Sequence, residues 1–410
     1  MRLLALPLTL ALATTGCLKA ATFACTDNTQ CARGGGAGVC ETTGFCSFDD
    51  PACDGGRRYG DLSGPLANQC VGGEMTDARP FDAAPGCFGT NLVQVCPDTQ
   101  PTQPVTLAGT LNTDTSSMCA LFTTPNATVA CVVTGQGITI AGAFAATGSR
   151  PLVLASSTTI TIAVTGVLDV ASRRNPLTIG AGGDASGCAT GTNPTQGGTG
   201  GGAWGGSFGG KGGDGGAGLA PSLAGVAPPA SSAPTRLRGG CSGGTGAGTG
   251  GGPGGHGGGA VFLIARQSIQ VLGTINASGG SGPGAIASAD QGGGGGGGSG
   301  GMIGLESAMV AITGSVFANG GGGGEGGGTG INGFDGLEST AAASPGLGGV
   351  NPTPGAGGDG GNGSVAATLG GLAGGPDDTD GGGGGGGGAG VIRIFSTQTT
   401  NTGSVSPPPT

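Results

Sequence analysis

"GGSGGMIGLESAMVAITGSVFANGGGGGEGGG", residues Gly297–Gly328, joins two kinds of sequence that are seldom neighbours. Its middle alternates apolar and small residues with period two, as a strand with one buried face does. Its flanks are almost pure glycine, the residue that loses most conformational freedom on ordering. Working outward, the middle is one copy of a template, apolar-x-apolar-x-Gly-x-apolar-x-small. The same template fits Val105–Thr113, Ile138–Ala146, Ile162–Val170, Ile269–Ala277 and Val310–Ala318. The shared glycines are Gly109, Gly142, Gly166, Gly273 and Gly314, with Gly403 in a degraded sixth copy. A glycine inside a strand pattern marks a bend or a close backbone approach. "AVFLIA", "GMIGLES" and "GVIRIFS" stand in equivalent places before the last three copies, so each repeat supplies two short strands. One repeat cannot bury its apolar face alone, and stacked repeats share a core. The expected fold is therefore all-β, a parallel β-helix or solenoid over residues 98–406 with a short tail at 407–410.

The glycine-rich inserts lie at about 180–259, 279–301, 320–363 and 370–390, at the same place in each repeat. Several run at period three: "GGKGGDGGAG" at Gly209–Gly218, "GGTGINGFDGLE" at Gly327–Glu338 and "GGDGGNG" at Gly357–Gly363. Three residues per turn is the period of polyproline II. Ordering such segments costs roughly 1–2 kcal/mol per residue. Two readings follow: polyproline II-like segments that hydrogen-bond to one another, or flexible loops.

The chain has 410 residues, 104 of them Gly, and carries 14 Lys plus Arg against 23 Asp plus Glu, a net charge of −9. No basic patch is available to neutralise a phosphate backbone, so nucleic acid is not an expected partner. Residues 1–16 read as an export signal: Arg2, an apolar run too short to span a bilayer, and "TTGC" ending at Cys17. Small residues before that cysteine resemble the bacterial lipoprotein cleavage motif. The resemblance implies Cys17 as the lipidated first residue and 17–24 as the tether, the alternative being an ordinary signal peptide. Of 13 cysteines, setting Cys17 aside leaves an even number, as disulfide pairing in an oxidising compartment requires. Cys25, Cys31, Cys40, Cys46, Cys53, Cys70, Cys87 and Cys96 define a small disulfide-rich module at 25–97. Cys119, Cys131, Cys188 and Cys241 fall among the repeats. Spacing does not reveal the pairing. With no C-x-x-C pair and His256 as the single histidine, no metal or cofactor is expected.

"GFCSFDDPAC" (Gly44–Cys53) followed by "GGRRYG" (Gly55–Gly60) resembles the Cys-rich segments of predicted surface lipoproteins of myxobacteria. The glycine-rich remainder resembles the same family. The resemblance implies an exported protein, lipid-anchored to the cell envelope at the outer membrane or cell surface, and carries no known chemistry. The function expected is that of a non-enzymatic surface lipoprotein, a structural or adhesion module with no ligand-binding residues assigned. The alternative is a polysaccharide-binding or polysaccharide-degrading β-helix. The strand repeats carry Asp169, Arg266, Glu306 and Arg393 as their main charges, with no two at equivalent positions of neighbouring repeats, whereas sugar-ring chemistry usually requires a carboxylate pair or a base beside a charge-neutralising group. Four further features have a bland and a functional reading. His256 reads as a solvated loop residue. Trp204 and Phe208 could stack on a sugar or staple an insert to the repeats. "GINGFDGLE" (Gly330–Glu338) approximates a calcium-binding nonapeptide. "PDDTDGG" gathers Asp377, Asp378 and Asp380 in one acidic loop.

Overall fold

In the computed structural model, the described residues are 22–410 apart from 34–35, 52, 54–55, 64–65, 68, 72–85, 91, 125–127, 232–233 and 289–290. The segment expected to be an export signal and Cys17 lie outside them. The protein is all-β, with an N-terminal disulfide-rich module. Among the described residues there is no α-helix, and no helix is long and apolar enough to cross a membrane.

The chain divides into two compact units, 1–79 and 80–410. The first holds β1 (Ala32–Arg33) against β2 (Gly36–Ala37), and an antiparallel sheet of β3 (Val39–Cys40), β4 (Cys46–Asp49) and β5 (Arg57–Tyr59). Its core is mostly sulfur: Cys25–Cys40 and Cys31–Cys46 pack with Phe48, and Cys53–Cys70 closes the far end. A segment with so few large apolar residues depends on bridges for its stability. Cys87–Cys96 belongs instead to the second unit. This moves the module boundary back from 97, because Phe88, Leu92, Val93 and Val95 are buried on the second unit's sheet.

The second unit begins with β6 (Val105–Asn112), β7 (Ala120–Thr123), β8 (Val129–Gly135), β9 (Ile138–Thr147), β10 (Leu152–Ser156), β11 (Thr159–Ile162) and β12 (Val167–Asp169). After a long glycine-rich stretch come β13 (Ala260–Val271), β14 (Thr274–Asn276), β15 (Met302–Ile312), β16 (Ser315–Phe317), β17 (Val391–Phe395), β18 (Gln398–Asn401) and β19 (Ser404–Ser406). Most of these strands pair in three parallel ladders, with β6 added in parallel to β9 and β7 antiparallel to β8. One runs β8–β10–β13–β15–β17. The second runs from β9 through β11 and the C-terminal halves of β13 and β15 to β18. The third runs β9–β12–β14–β16–β19.

Leu107, Ile140, Leu154, Ile162, Leu263, Val271, Leu305 and Ile312 fill one core between the ladders. The first ladder is covered on its other face too, by Phe88, Val93, Phe208 and Leu237 against Val132, Val153 and Phe262. Strands buried on both faces read as continuous apolar runs, which accounts for "LVLA" at 152–155 and "AVFLIA" at 260–265.

One register differs from the template. Ile160 and Ile162 pair with Ile138 and Ile140, so the inward residues of the third copy lie two positions earlier than the template places them, and Val164 is 77% exposed. The cause is a turn two residues longer at Ala163–Gly166, after which Val167 resumes pairing with Ala143. The template glycines form a column. A β-carbon on Gly166 would meet the Ile140 carbonyl oxygen at 2.2 Å, on Gly273 that of Gly166 at 2.2 Å, on Gly314 that of Gly273 at 2.0 Å and on Gly403 that of Gly314 at 2.1 Å. Gly142 has open space beside it, and Gly109 is kept by its φ of +79°.

Candidate interaction surface

The glycine segments leave the strand ends and hydrogen-bond to one another. From Gly381 to Gly390 the backbone donors address three neighbours in rotation. Gly381, Gly384, Gly387 and Gly390 donate to Gly327, Gly324, Gly321 and Ala318; Gly382, Gly385 and Gly388 to Gly200, Ala203 and Gly206; Gly383, Gly386 and Ala389 to Gly375, Leu372 and Leu369. The carbonyls of the same segment accept in rotation from 358–364, 294–300 and 210–216. Six segments therefore surround it, and successive members of the ring bond to each other, as in Gly323 to Gly361, Gly371 to Lys211, Gly205 to Gly213, Ala203 to Gly294 and Gly321 to Gly298. Segments 292–301 and 318–327 are encircled in the same way. All three are buried throughout.

This arrangement explains which segments are pure glycine. In an encircled segment nearly every glycine faces a neighbouring backbone, so a β-carbon on Gly295 would lie 1.9 Å from the Pro253 carbonyl oxygen and one on Gly324 1.9 Å from that of Pro283, and side chains enter only at a few places such as Ser299 and Glu325. A segment at the boundary has one free direction, and every third residue can carry a side chain. Lys211, Asp214 and Ala217 in "GGKGGDGGA" face outward, as do Pro253 and His256 in "GGPGGH" and Asp359 and Asn362 in "GGDGGN". Period three in the sequence thus reports position in the packing.

On one side the outward residues are large and apolar. Phe334 with Leu337, Leu347 with Val350 and Leu369 with Leu372 each sit three residues apart and each is about half exposed. Hydrogen bonds join their segments edge to edge: Leu337 N–H to Leu347 O at 2.8 Å, Gly360 N–H to Gly349 O at 2.8 Å and Leu372 N–H to Asn362 O at 2.8 Å. Phe334, Leu337, Leu347, Val350 and Asn362 line a groove of about 370 Å³. Beneath it lies Glu325, fully buried in an encircled segment, with Oε2 accepting the Phe334 N–H at 2.7 Å. Burial raises the Glu325 pKa above its ordinary value, an effect opposed by the Phe334 and Asn351 backbone donors and increased by Asp359. Sequence reasoning passed over these rows, although their signal is visible as "FDGL", "LGGV" and "LGGL", apolar residues at i and i+3.

Most residues singled out from the sequence have structural partners. Cys119–Cys131 and Cys188–Cys241 bridge the second unit. The sulfurs of Cys25, Cys31 and Cys40 lie within 4.8 Å of one another, but each is taken up in a bridge and none is a thiolate ligand. Asp169 pairs with Arg173 at 2.6 Å. Glu306 accepts from the Thr90 N–H at 2.7 Å, and the Arg266 guanidinium lies 4.9 Å from the Phe88 ring centre, so both hold the 86–97 segment on the sheet. Arg393, in β17, is half-buried.

His256 is part-exposed but held in place: its Nδ1 pairs with Asp184, whose other oxygen accepts the Gly257 N–H at 2.7 Å. That hydrogen bond raises the imidazole pKa, against a smaller opposing effect of burial. Trp204 and Phe208 are both buried. β-Carbons on Gly191 and Gly244 would meet the Trp204 indole at 2.7 Å, and Phe208 packs under Arg238 at 4.9 Å. They act as the staple. In "GINGFDGLE", Asp335 pairs with Arg174 and accepts from Gly284 N–H, while Glu338 accepts from Arg174 N–H and Ser281 Oγ. In "PDDTDGG", Asp380 is buried and accepts from Gln291, Thr329 and Thr379, Asp377 caps its own turn, and Asp378 is exposed.

No protein family, characterised relative or solved structure matches the chain.

Proposed function

We propose that this protein is a non-enzymatic surface module in which a parallel β-solenoid carries a rigid bundle of polyproline II helices. Exported and held to the envelope by a lipid on Cys17, it uses the bundle to present an interaction face. The observation that carries this reading is the encirclement of three glycine segments by hydrogen-bonded neighbours. A lone polyproline II segment leaves its backbone to water, whereas here each donor and acceptor direction has a partner. The three parallel ladders support the solenoid, since strands of successive repeats pair in parallel, with local register shifts at Leu107/Gly109 and Ala265/Ser268. The three-residue rotation of the donors supports polyproline II. A bundle of this kind costs about a quarter of the chain in glycine, and what it yields is fixed spacing of side chains on its outer face, as a docking surface requires.

The test is attachment. Cells displaying the full chain are compared with cells displaying a Leu347→Asp, Leu372→Asp variant and a Leu177→Asp control, for attachment to one another and to immobilised polysaccharide or protein. Loss confined to the double variant supports the reading. Equal attachment in all three, or turnover of a polysaccharide by the purified chain, overturns it. For the anchor, a palmitate analogue should label the wild type and not Cys17→Ser.

A further inference from the structure

Resting on that reading, the groove between the first two apolar rows defines the kind of partner. The segments run antiparallel, so its two ends differ. At one end stand Leu337, Leu347 and Asn362; at the other stand Phe334 and Val350, with Asp359 one turn before Asn362 on the adjoining segment. Asn362 Oδ1 accepts the Gly348 N–H at 2.8 Å. A backbone donor selects the amide oxygen, which leaves Nδ2, without a partner among the described residues, as a donor at the groove. Asp359 is exposed and has no ion-pair partner among the described residues, and the exposed Asp378 adds negative charge to the same bundle. The Asp335 and Asp214 carboxylates are already matched by Arg174 and Lys211.

We infer that this groove binds an extended, basic peptide segment of another protein, with apolar residues at i and i+3 and a Lys or Arg at the Asp359 end. Phe334 to Leu337 and Leu347 to Val350 each span three residues, about 9 Å in a polyproline II segment at ~3.1 Å per residue. A ligand of the same conformation repeats its side chains at the same interval, so both apolar residues enter together. Its backbone carbonyl accepts from Asn362 Nδ2, and its cation meets Asp359. The 370 Å³ volume falls within the ~300–1,000 Å³ of ligand clefts. Recognition of preformed extended peptides by apolar grooves with a few fixed donors is a known economy of ordering entropy.

Fluorescence anisotropy on the full chain tests this, with a labelled peptide of repeated Pro-Leu-Pro triplets ending in arginines. A control peptide of equal composition places leucine at alternate positions, and a second replaces the arginines by glutamates. The triplet peptide should bind, and Val350→Ser and Asn362→Ala should each weaken it about tenfold. Asp359→Asn should remove most of its salt dependence. Thermal unfolding of each variant confirms that the bundle is intact, and Val350→Ser, which leaves the Asn362–Gly348 hydrogen bond untouched, gives a second route to the same loss. No binding, equal binding of the alternate-leucine control, or unchanged affinity in Val350→Ser overturns the inference. So does a wild-type dimer that Val350→Ser converts to monomer, which would assign the groove to a second copy. If the peptide fails while Leu347→Asp, Leu372→Asp cells still lose attachment, the surface-module reading stands and the peptide inference falls.

Discussion

Gly384 lies so close to Gly295 that a β-carbon on it would meet the Gly295 carbonyl oxygen at 2.0 Å. No rotamer relieves that contact, because both sides are backbone. Overpacking into a tight interior costs typically ~1–3 kcal/mol, and a rigid backbone neighbour places Gly384→Ala at the upper end or beyond. Gly142→Ala, which meets nothing within 4 Å, should change stability by no more than ~0.5 kcal/mol. Urea unfolding of the two variants side by side measures the difference, and equal effects would mean that the glycine packing is loose.

Removing Gly381–Gly388 should loosen the six surrounding segments together, since each loses partners along that side. Amide exchange reads this directly. In the wild type, the amides of Gly294, Gly297 and Gly300, which donate to Gly382, Gly385 and Gly388, should be protected comparably to the β13 strand. In the deletion they should exchange faster, while the β10–β13 ladder keeps its protection.

Glu325, by its burial, sets the sign of the pH dependence expected of the bundle. Its folded-state pKa is raised by burial, so the folded protein holds that proton more tightly than the unfolded chain does. The stabilisation from this linkage is complete below the unfolded value near 4.5 and is lost as pH rises through the folded value. Glu325→Gln should therefore be more stable than wild type at pH 7, with the gap closing toward pH 4. A wild-type protein that gains stability over the same rise, relative to Glu325→Gln, would contradict the assignment.

The His256–Asp184 pair behaves in the same sense at a higher pH. The imidazole pKa is raised by its hydrogen bond to Asp184, so its contribution is complete below the ordinary value of 6.5 and is lost as pH rises through the folded value. His256→Ala should lower the melting temperature more at pH 5.5 than at pH 9. NMR titration of the single imidazole gives the midpoint directly.

Bridges should rank by the loop they close. Cys188–Cys241 spans 53 residues and Cys87–Cys96 spans 9. The chain-entropy relation gives about 4 kcal/mol for the first and about 2.6 kcal/mol for the second. Paired Cys→Ser variants measured by denaturant unfolding should keep that order.

Much of this was legible in the sequence. Alternation in "AMVAITGSVFA" identified Val310, Ile312 and Val316 as inward residues of a strand pair, because burial of one face imposes period two wherever it occurs. The contrast between "GGGGGGGG" and "GGKGGD" already held the distinction between encircled and boundary segments, since a β-carbon is forbidden in one setting and free in one direction of three in the other. What the tertiary structure alone decided is which segments are neighbours. A strand edge or a glycine segment satisfies its donors on another part of the chain: Gly382 on Gly200, Asp380 with Gln291, Arg174 with Asp335. Identical glycines offer no side chain by which one neighbour could be told from another. The two-residue offset at Ala163–Gly166, the pairing of Cys188 with Cys241 and the placing of three apolar rows on one face all follow from that packing, in which backbone groups distant in sequence meet because leaving them unpaired in the interior would cost more than any local preference.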